Sequence, residues 1–313
     1  MRARPTVLLA LVTLSLAGAV AIRPSAGAAP CGRPTGCTVF ELISAGSTYG
    51  WFAAAGDTAN MRRFEFRTED GATAPAGWTH LGPATSWVVG AVGHGTLRTI
   101  APQTGGTTQA SDVVTRWTSA RSTGRWEIRY RSRSTRDGRP GMGDYRVQVE
   151  LVPAGSVQRC EPRSITVVAY DPAAPTVARV GITKGALHLG SALPVTSPTL
   201  NPSSSGWVNG SSPTASAWHA WAVEVAPDHV SWFKDGRVVR RETRSAALFH
   251  EPLELRLSLL PEKAGTTAKA YSQLDWARWF SLRRTTTAAA AVQALRSAPA
   301  LVPVPASVNP GCS

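Results

Sequence analysis

Glu150 ends a row of polar side chains on a segment whose residues alternate in character. Arg146, Gln148 and Glu150 alternate with apolar or aromatic residues over Tyr145–Val152, which predicts a strand with one polar and one apolar face. A carboxylate on such a face can act as a general acid or base. In a chain this rich in arginine we favour a structural role, an ion pair with Arg146 or a neighbouring arginine.

Other catalytic patterns are missing from the sequence. Neither E-x-D-x-E nor E-x-D-x-x-E occurs, the six histidines show no i, i+2 or i, i+4 pairs, and there is no G-x-S-x-G motif. The sequence therefore predicts no metal centre and no nucleophile elbow. His219, on a predicted strand, is interpreted as structural.

Short segments rich in β-branched and aromatic residues predict the elements that carry these side chains. Gly, Pro, Asp and Ser separate them, as in an all-β sandwich or barrel. The predicted strands are Arg62–Arg67, Trp87–Gly90, Thr96–Ile100, Arg125–Arg133, Tyr145–Val152, Ile165–Tyr170, Ala178–Thr183 and Leu253–Leu259. A long loop is expected over Pro194–Ser216, a short helix over Thr287–Ser297 and an extended tail over Leu301–Pro310.

The segment Trp218–Arg241 gives the clearest local prediction. It reads WHAWAVEVAPDHVSWFKDGRVVRR, two alternating strands joined at Ala226–Asp228. Asp235 and Gly236 form one of the best pairs for a tight turn that needs positive φ. A β-hairpin is expected here, with the second strand ending at the Asp-Gly turn.

The N-terminus has the pattern of a secretory signal. Arg2 and Arg4 precede the apolar run Val7–Ile22, and small residues follow at Ala26–Ala28. We expect residues 1–28 to be the signal, 29–285 the β domain and 286–313 the short helix with its Pro-rich tail. The mature chain is expected to be secreted and not membrane-spanning, because no second long apolar stretch follows.

Four cysteines remain in the expected mature chain: Cys31, Cys37, Cys160 and Cys312. An even number in an exported protein predicts two disulfides, for which three pairings are possible. The close spacing of Cys31 and Cys37 makes a local loop plausible, which would leave Cys160 and Cys312 to pin the tail.

The net charge of +13 comes mostly from arginine and falls to +10 once Arg2, Arg4 and Arg23 leave with the signal. Such a protein can be attracted to an anionic cell wall or an acidic polysaccharide. The favoured alternative is a coding bias toward arginine, with Arg125, Arg129, Arg131 and Arg133 forming an ordinary solvated strand face. Nucleic-acid binding fits poorly, since no recognised module is present.

Four segments in order resemble glycoside hydrolase family 16, the laminarinase, lichenase and agarase type. They are Gly90–Leu97 (GAVGHGTL), Ser122–Arg129 (STGRWEIR), the hairpin Trp218–Arg241 and Gln273–Trp279 (QLDWARW), and they span roughly residues 40–283. The resemblance implies an all-β, concanavalin A-like jelly-roll sandwich of two antiparallel sheets. The short helix and extended tail would follow it.

The resemblance also implies where catalytic carboxylates would lie. The family carries Glu, Asp and Glu on one strand, as nucleophile, helper and proton donor of a retaining hydrolase. At the corresponding positions this sequence has Ser164, Thr166 and Ala169, or Val168 instead of Ala169 if the strand lacks a bulge. The sequence therefore predicts a degenerate site without the family's catalytic residues, with Glu150 as the one candidate carboxylate.

Polysaccharide binding is the function that such a cleft could retain. Sugar rings stack on exposed aromatic rings, and Trp51, Trp78, Trp87, Trp117 and Trp207 lie in or beside predicted loops. The expected ligand-binding residues are Arg146, Gln148, Glu150, Ser164, Thr166, Trp87, Trp117 and Trp207.

Three functions follow from these observations. The leading one is a secreted, monomeric protein that binds polysaccharide or cell-wall glycan without cleaving it. The alternatives are a carbohydrate-active enzyme that uses relocated residues such as Glu150, and an envelope interaction protein whose arginine-rich strand faces make the contacts. No cofactor is predicted; a structural calcium ion, which some family members carry, stays open.

Overall fold

Two stacked antiparallel sheets form the body of the protein. The computed structural model describes Ala45, Tyr49, Trp51 and Ala59 and residues 61–65, 77–81, 88–89, 97–100, 113–136, 139–140, 145–156, 162–170, 177–195, 219–261, 269–283 and 289–305. The predicted signal, the four cysteines and the Pro194–Ser216 loop beyond residue 195 lie outside these residues.

The described part of the first sheet has nine strands in the order β14-β13-β12-β6-β16-β4-β3, with β1 on β16 and β7 on β6. Its strands are β1 (Met61–Glu65), β3 (Val88–Val89), β4 (Leu97–Ile100), β6 (Gly124–Arg136), β7 (Arg139–Pro140), β12 (His219–Ala226), β13 (His229–Lys234), β14 (Arg237–Glu242) and β16 (Lys269–Phe280).

The second sheet has eight described strands in the order β17-β11-β10-β9-β8-β15-β5-β2. They are β2 (Trp78–Leu81), β5 (Val113–Arg121), β8 (Tyr145–Pro153), β9 (Arg163–Tyr170), β10 (Val177–Lys184), β11 (Leu187–Pro194), β15 (Leu253–Pro261) and β17 (Val302–Pro303). A 3-10 turn spans Ser245–Ala247, and the one described α-helix, α1, spans Ala289–Ser297. This architecture confirms the predicted all-β sandwich with a short C-terminal helix.

The main core lies between the two sheets. Trp221, Val223 and Val225 of β12 and Val149 and Leu151 of β8 belong to it, and all five are fully buried. A smaller apolar cluster covers the outer face of the nine-stranded sheet. There Trp51 packs edge-on against Phe233, with ring centroids 4.8 Å apart, and Leu295 of α1 completes the cover.

The hairpin prediction is confirmed in detail. β12 and β13 pair from Trp221–Lys234 to Ala226–His229, and β14 follows the Asp-Gly turn. Asp235 has φ 47° and Gly236 has φ 74°, the left-handed pair that this turn requires. The Asp235 carboxylate also accepts hydrogen bonds from Ala220 N at 3.0 Å and from the His219 ring at 2.8 Å, so His219 is structural as interpreted.

The C-terminal tail is extended, but it is also paired with the sheet. β17 adds to the edge of β11, with Pro303 opposite Leu189 and Val302 opposite Gly190. The Arg244 guanidinium donates to Leu301 O at 2.7 Å. These contacts fix the tail within the described residues, whereas the predicted Cys160–Cys312 pin lies outside them.

Candidate functional site

A bulge in β9 decides which side chains leave the core. Thr166 is opposite Glu150 of β8, but the next registered pair on that side joins Val168 to Val149, so β9 has one residue more than its partner. Val167 and Val168 both belong to the core cluster. Ser164, Thr166 and Ala169 therefore share the outer face, which confirms the bulged alternative for this strand.

The bulge is held from within the sandwich. The Trp232 indole of β13 donates a hydrogen bond of 2.9 Å to the carbonyl of Thr166. This bond crosses from one sheet to the other and satisfies a backbone group that the ladder could leave without a partner. A side chain of the core therefore fixes the bulge in place.

Three rows of side chains cross the outer face of the eight-stranded sheet. In the first, Ala169 lies opposite Gln148 on one side and Arg179 on the other. In the second, Thr166 lies between Glu150 and Gly181, and Gly181 is in turn opposite Gly190. In the third, Thr183 lies between Ser164 and His188.

A pocket of about 260 Å³ lies over these rows. The C-terminal segment borders it, since a Cβ added at Gly190 would come 3.3 Å from both methyl carbons of Val304. The polar side chains in its lining are Gln148, Thr166, Arg179, Thr183, His188 and Ser191, and Ala169, Ala192, Val302, Val304 and Pro305 are among the apolar residues that complete it.

Glu150 lies beside this pocket in an ion pair. Its Oε2 is 2.9 Å from Nη2 of Arg256 on β15, and both side chains are at most 3% exposed. The predicted pairing with an arginine is confirmed, with Arg256 as the partner. Alternation in the predicted strand Leu253–Leu259 puts Arg256 on its polar face, but alternation does not indicate that β15 is the neighbour of β8. The Arg146 side chain lies outside the described residues.

Within the described part of the chain, the Ser164 hydroxyl and Nδ1 of His188 have no hydrogen-bond partner. The Ser164 hydroxyl is fully buried, and Nδ1 of His188 is buried within the pocket wall. Of the predicted ligand-binding residues, Gln148 and Thr166 line the pocket, and Ser164 lies in its floor. Sequence reasoning missed Arg179, Thr183 and His188, although the alternation of β10 places Arg179 and Thr183 on the outer face.

The predicted tryptophan platforms are corrected where the structure describes them. Trp117 lies in β5 and stacks on Trp78 of β2 with centroids 5.9 Å apart, and both belong to the core between the sheets. Trp51 is buried in the second cluster. The expectation of exposed loop platforms is wrong for all three, because each of them is buried. Trp78 and Trp117 lie in strands, whose polar residues give them a loop-like composition. Trp87 and Trp207 lie outside the described residues.

The predicted solvated arginine face is wrong at Arg125 and Arg129, whereas the side chains of Arg131 and Arg133 lie outside the described residues. Arg125 and Arg129 of β6 are 1% and 6% exposed. Arg125 pairs with Glu224 and donates to the carbonyls of residues 281–283, and Arg129 pairs with Asp275. Burial lowers the pKa of Arg129, and Asp275 opposes that shift. These residues stabilise the outer face of the nine-stranded sheet and are not exposed to solvent.

Within the described residues, no group of three or more histidine, cysteine, aspartate or glutamate side chains is arranged to hold a metal ion. Nor does the described part of the chain include a helix of the length and hydropathy that a membrane span requires.

Comparisons with known proteins bear on the fold. No protein-family model matches the sequence, and no curated protein matches it. Solved structures do match. An endo-β-1,3-glucanase from Pyrococcus furiosus has a TM-score of 0.52 and 14% identity, and the match covers 72% of this chain and 95% of that one. A laminarinase from Rhodothermus marinus has a TM-score of 0.50 and 18% identity, and the match covers 70% of this chain and 96% of that one. A β-glucanase from Bacillus licheniformis has a TM-score of 0.50 and 13% identity, and the match covers 72% of this chain and 100% of that one. At these identities the likeness confirms the concanavalin A-like jelly-roll fold and goes no further.

Proposed function

We propose that this chain is an exported polysaccharide-binding protein, built on a sandwich like that of family 16 hydrolases, that does not cleave its ligand. One observation carries the proposal. On the bulged strand β9 the three outward positions are Ser164, Thr166 and Ala169, two hydroxyls and a methyl group. The family resemblance implies Glu, Asp and Glu at these positions.

The chemistry of retention supports the absence of cleavage. A retaining glycosidase needs two carboxyl groups about 5–5.5 Å apart, one as nucleophile and one as acid. The described carboxylate beside Thr166 is Glu150, and it is held by Arg256 at 2.9 Å. Loss of a general acid alone typically lowers a rate by about 10²–10⁴, and here the nucleophile is missing as well.

The pocket offers groups that suit sugar binding. The hydroxyls of Thr166 and Thr183 and the amide of Gln148 can exchange hydrogen bonds with sugar hydroxyls. Val302 and Val304 supply an apolar wall for ring C–H groups. Export follows from the N-terminal pattern of Arg2, Arg4 and the apolar run Val7–Ile22. Together these features support recognition of an extracellular glycan.

A glycan array combined with a reducing-sugar assay on the mature protein tests the proposal. We expect retention on a defined set of polysaccharides and no release of reducing ends. Gln148→Leu, which removes a pocket amide at similar volume, should weaken retention. Arg237→Gln, at an exposed site on β14, should leave it unchanged.

Two outcomes would overturn the proposal. Release of reducing ends that Glu150→Gln abolishes would identify an enzyme with a relocated carboxylate. Silence in both assays, with the protein shown to be folded, would favour an interaction protein without a sugar ligand.

A further inference from the structure

The C-terminal segment is held differently before and after β17. Before it, Arg241 N donates to Pro299 O at 2.9 Å and the Arg244 guanidinium donates to Leu301 O at 2.7 Å. Leu301 itself is 3% exposed and belongs to the core cluster. The chain then runs on along the edge of β11 as Pro303–Pro305, which we call the strap. Both prolines of the strap are exposed and its valine is half-buried, so an anchored part of the tail is followed by a superficial one.

The strap has a single backbone donor, because proline has no N–H group. That donor is the N–H of Val304, which bonds to the carbonyl of His188 on β11 at 3.0 Å. Exposed side chains and little backbone hydrogen bonding are typical of segments that open locally while the body stays folded. We therefore expect the strap to detach more easily than the anchored part of the tail.

The Val304 side chain covers a place where the sheet has no side chain of its own. Gly190 of β11 is the register partner of Gly181 on β10, and Thr166 lies across from Gly181 in the same row. A Cβ added at Gly190 would come 3.3 Å from both methyl carbons of Val304. The valine therefore packs on bare backbone at the β11 side of the pocket, an apolar surface against which the C–H face of a sugar ring could also pack.

His188 lies beneath the strap and lines the same pocket. Its carbonyl accepts the Val304 N–H, and its ring Nδ1 is buried without a hydrogen-bond partner among the described residues. A carbonyl that the strap releases can accept a hydrogen bond from a sugar hydroxyl instead. Exchanging one donor for another avoids the cost of leaving that acceptor unsatisfied.

We propose that the strap is a displaceable plug that partly blocks the pocket until a glycan binds. A bound sugar residue places its C–H face on Gly190 in the position of the Val304 methyl groups, and one of its hydroxyls replaces the Val304 N–H on His188 O. Val302, which pairs with Gly190 in the sheet, remains as the apolar wall. This inference rests on the proposed function and adds to it a self-blocking contact that the glycan must displace.

Hydrogen exchange of the full mature chain, followed by NMR, tests the strap before any glycan is added. We expect the Val304 amide to exchange at least about 10-fold faster than the Arg241 amide, which holds the anchored part, once intrinsic rates are corrected for. Equal protection of the two amides would overturn the inference.

The same measurement with a polysaccharide gives a second test. Soluble β-glucan, galactan and xylan are each added at saturating concentration. With any polymer that binds, exchange of the Val304 amide should become faster still, because the bound sugar keeps the strap detached. A strap that closed over its ligand as a fixed wall would instead protect this amide, and unchanged or slower exchange would therefore overturn the inference.

Two valine variants give opposite signs for a plug and for a wall. Val304→Ala removes the methyl groups over Gly190 and should raise affinity for the same polymer about 3- to 10-fold, because more molecules have an open pocket. Val292→Ala makes the same change at a half-buried site on α1, outside the pocket, and should alter affinity by less than about twofold. An unchanged or lower affinity of Val304→Ala would contradict the plug. Thermal melts establish that both variants are folded.

The outcomes distinguish this inference from the proposed function. Polymer binding with a protected Val304 amide would overturn the plug and leave glycan binding intact. Absence of binding to every polymer, by the native chain and by Val304→Ala alike, would overturn the proposed function and this inference with it.

Discussion

The outer faces of the two sheets both carry buried ion pairs between arginine and glutamate, but the two faces differ in what surrounds those pairs. On the nine-stranded sheet, Arg125, Glu224 and His229 form a chain of ion pairs and hydrogen bonds beneath Trp51 and α1. On the eight-stranded sheet, the ion pair between Glu150 and Arg256 is just as buried, but the strands beside it open into a pocket.

The difference lies in what stands across from each polar residue. An ion pair between residues at the same register position serves the fold, because it favours the correct register of the two strands. A polar residue with alanine or glycine across from it borders the pocket, as Arg179 does opposite Ala169 and Ala192 and Thr166 does opposite Gly181. Four experiments, ordered by expected effect, test this distinction and the elements around it.

The largest effect is expected from Arg125→Met. The change removes the arginine partner of Glu224, which keeps only His229, and the donor to the carbonyls of Ser281, Leu282 and Arg283. Breaking a buried pair on one side costs about 3–5 kcal/mol of unfolding free energy. Urea denaturation measures it, and the exposed Arg62→Gln should stay within about 0.5 kcal/mol of the native protein. A loss of similar size in Arg62→Gln would contradict the distinction.

Arg256→Met should cost about 3 kcal/mol, because it leaves the Glu150 carboxylate buried without its cation. The double variant Glu150→Leu with Arg256→Met replaces the pair by apolar side chains and should recover most of that loss. If the double variant is no more stable than the single one, the pair acts through more than mutual compensation.

Trp232→Phe and Trp221→Phe remove the same side-chain volume but different hydrogen bonds. The first removes the bond that the indole donates to Thr166 O, and the second removes the bond that the indole donates to the Tyr170 hydroxyl. We expect each to cost about 1–3 kcal/mol. Glycan retention should fall only in Trp232→Phe, since only that indole fixes the bulge. Retention of both variants on the glycan array checks this. An equal fall in both would show that the bulge has no specific role in binding.

The smallest effect concerns pH and Glu242 on β14. Burial raises the pKa of Glu242, but hydrogen bonds from the Arg244 guanidinium and from the N–H groups of Thr243 and Arg244 outweigh it and hold the pKa below the ordinary 4.5. The carboxylate therefore stabilises the fold fully above pH 4.5, and this contribution is lost as the pH falls through the lowered pKa.

Because the Arg244 side chain is 44% exposed, the contribution should be about 1 kcal/mol or less. Unfolding free energies of the native chain and of Glu242→Gln, measured between about pH 3 and 7, should converge at the acidic end. Parallel curves would show that Glu242 does not contribute in this way.

Sequence patterns predicted best where local chemistry and tertiary structure agree. The strands β12 and β13 alternate cleanly and end in Asp235-Gly236, so both the elements and their turn could be predicted. β11 could not, because Gly190 and Pro194 give it a loop-like composition. Both glycines of the pair Gly190 and Gly181 lie where side chains have little room: a Cβ at Gly190 would come 3.3 Å from the Val304 methyl carbons, and one at Gly181 would come 2.5 Å from Leu189 O.

The candidate site was predictable in part for a related reason. The family resemblance implies the row Ser164, Thr166 and Ala169 once a bulge is assumed, and the structure has the bulge and places these three residues on one face. The partner of Glu150 and the pocket residues Arg179 and His188 depend on which strands are neighbours, β15 beside β8 and β11 beside β10. Sequence alternation predicts the face of a residue but does not identify its neighbours across the sheet.

The bond between Trp232 and the Thr166 carbonyl has a consequence for how this surface can change. It fixes the backbone of β9 from the core side and touches none of the three side chains that point outward. The bond goes to a backbone carbonyl, so it does not depend on which side chains occupy these three positions. The same separation makes these three positions a site for laboratory redesign, in which new functional groups would inherit a geometry already in place.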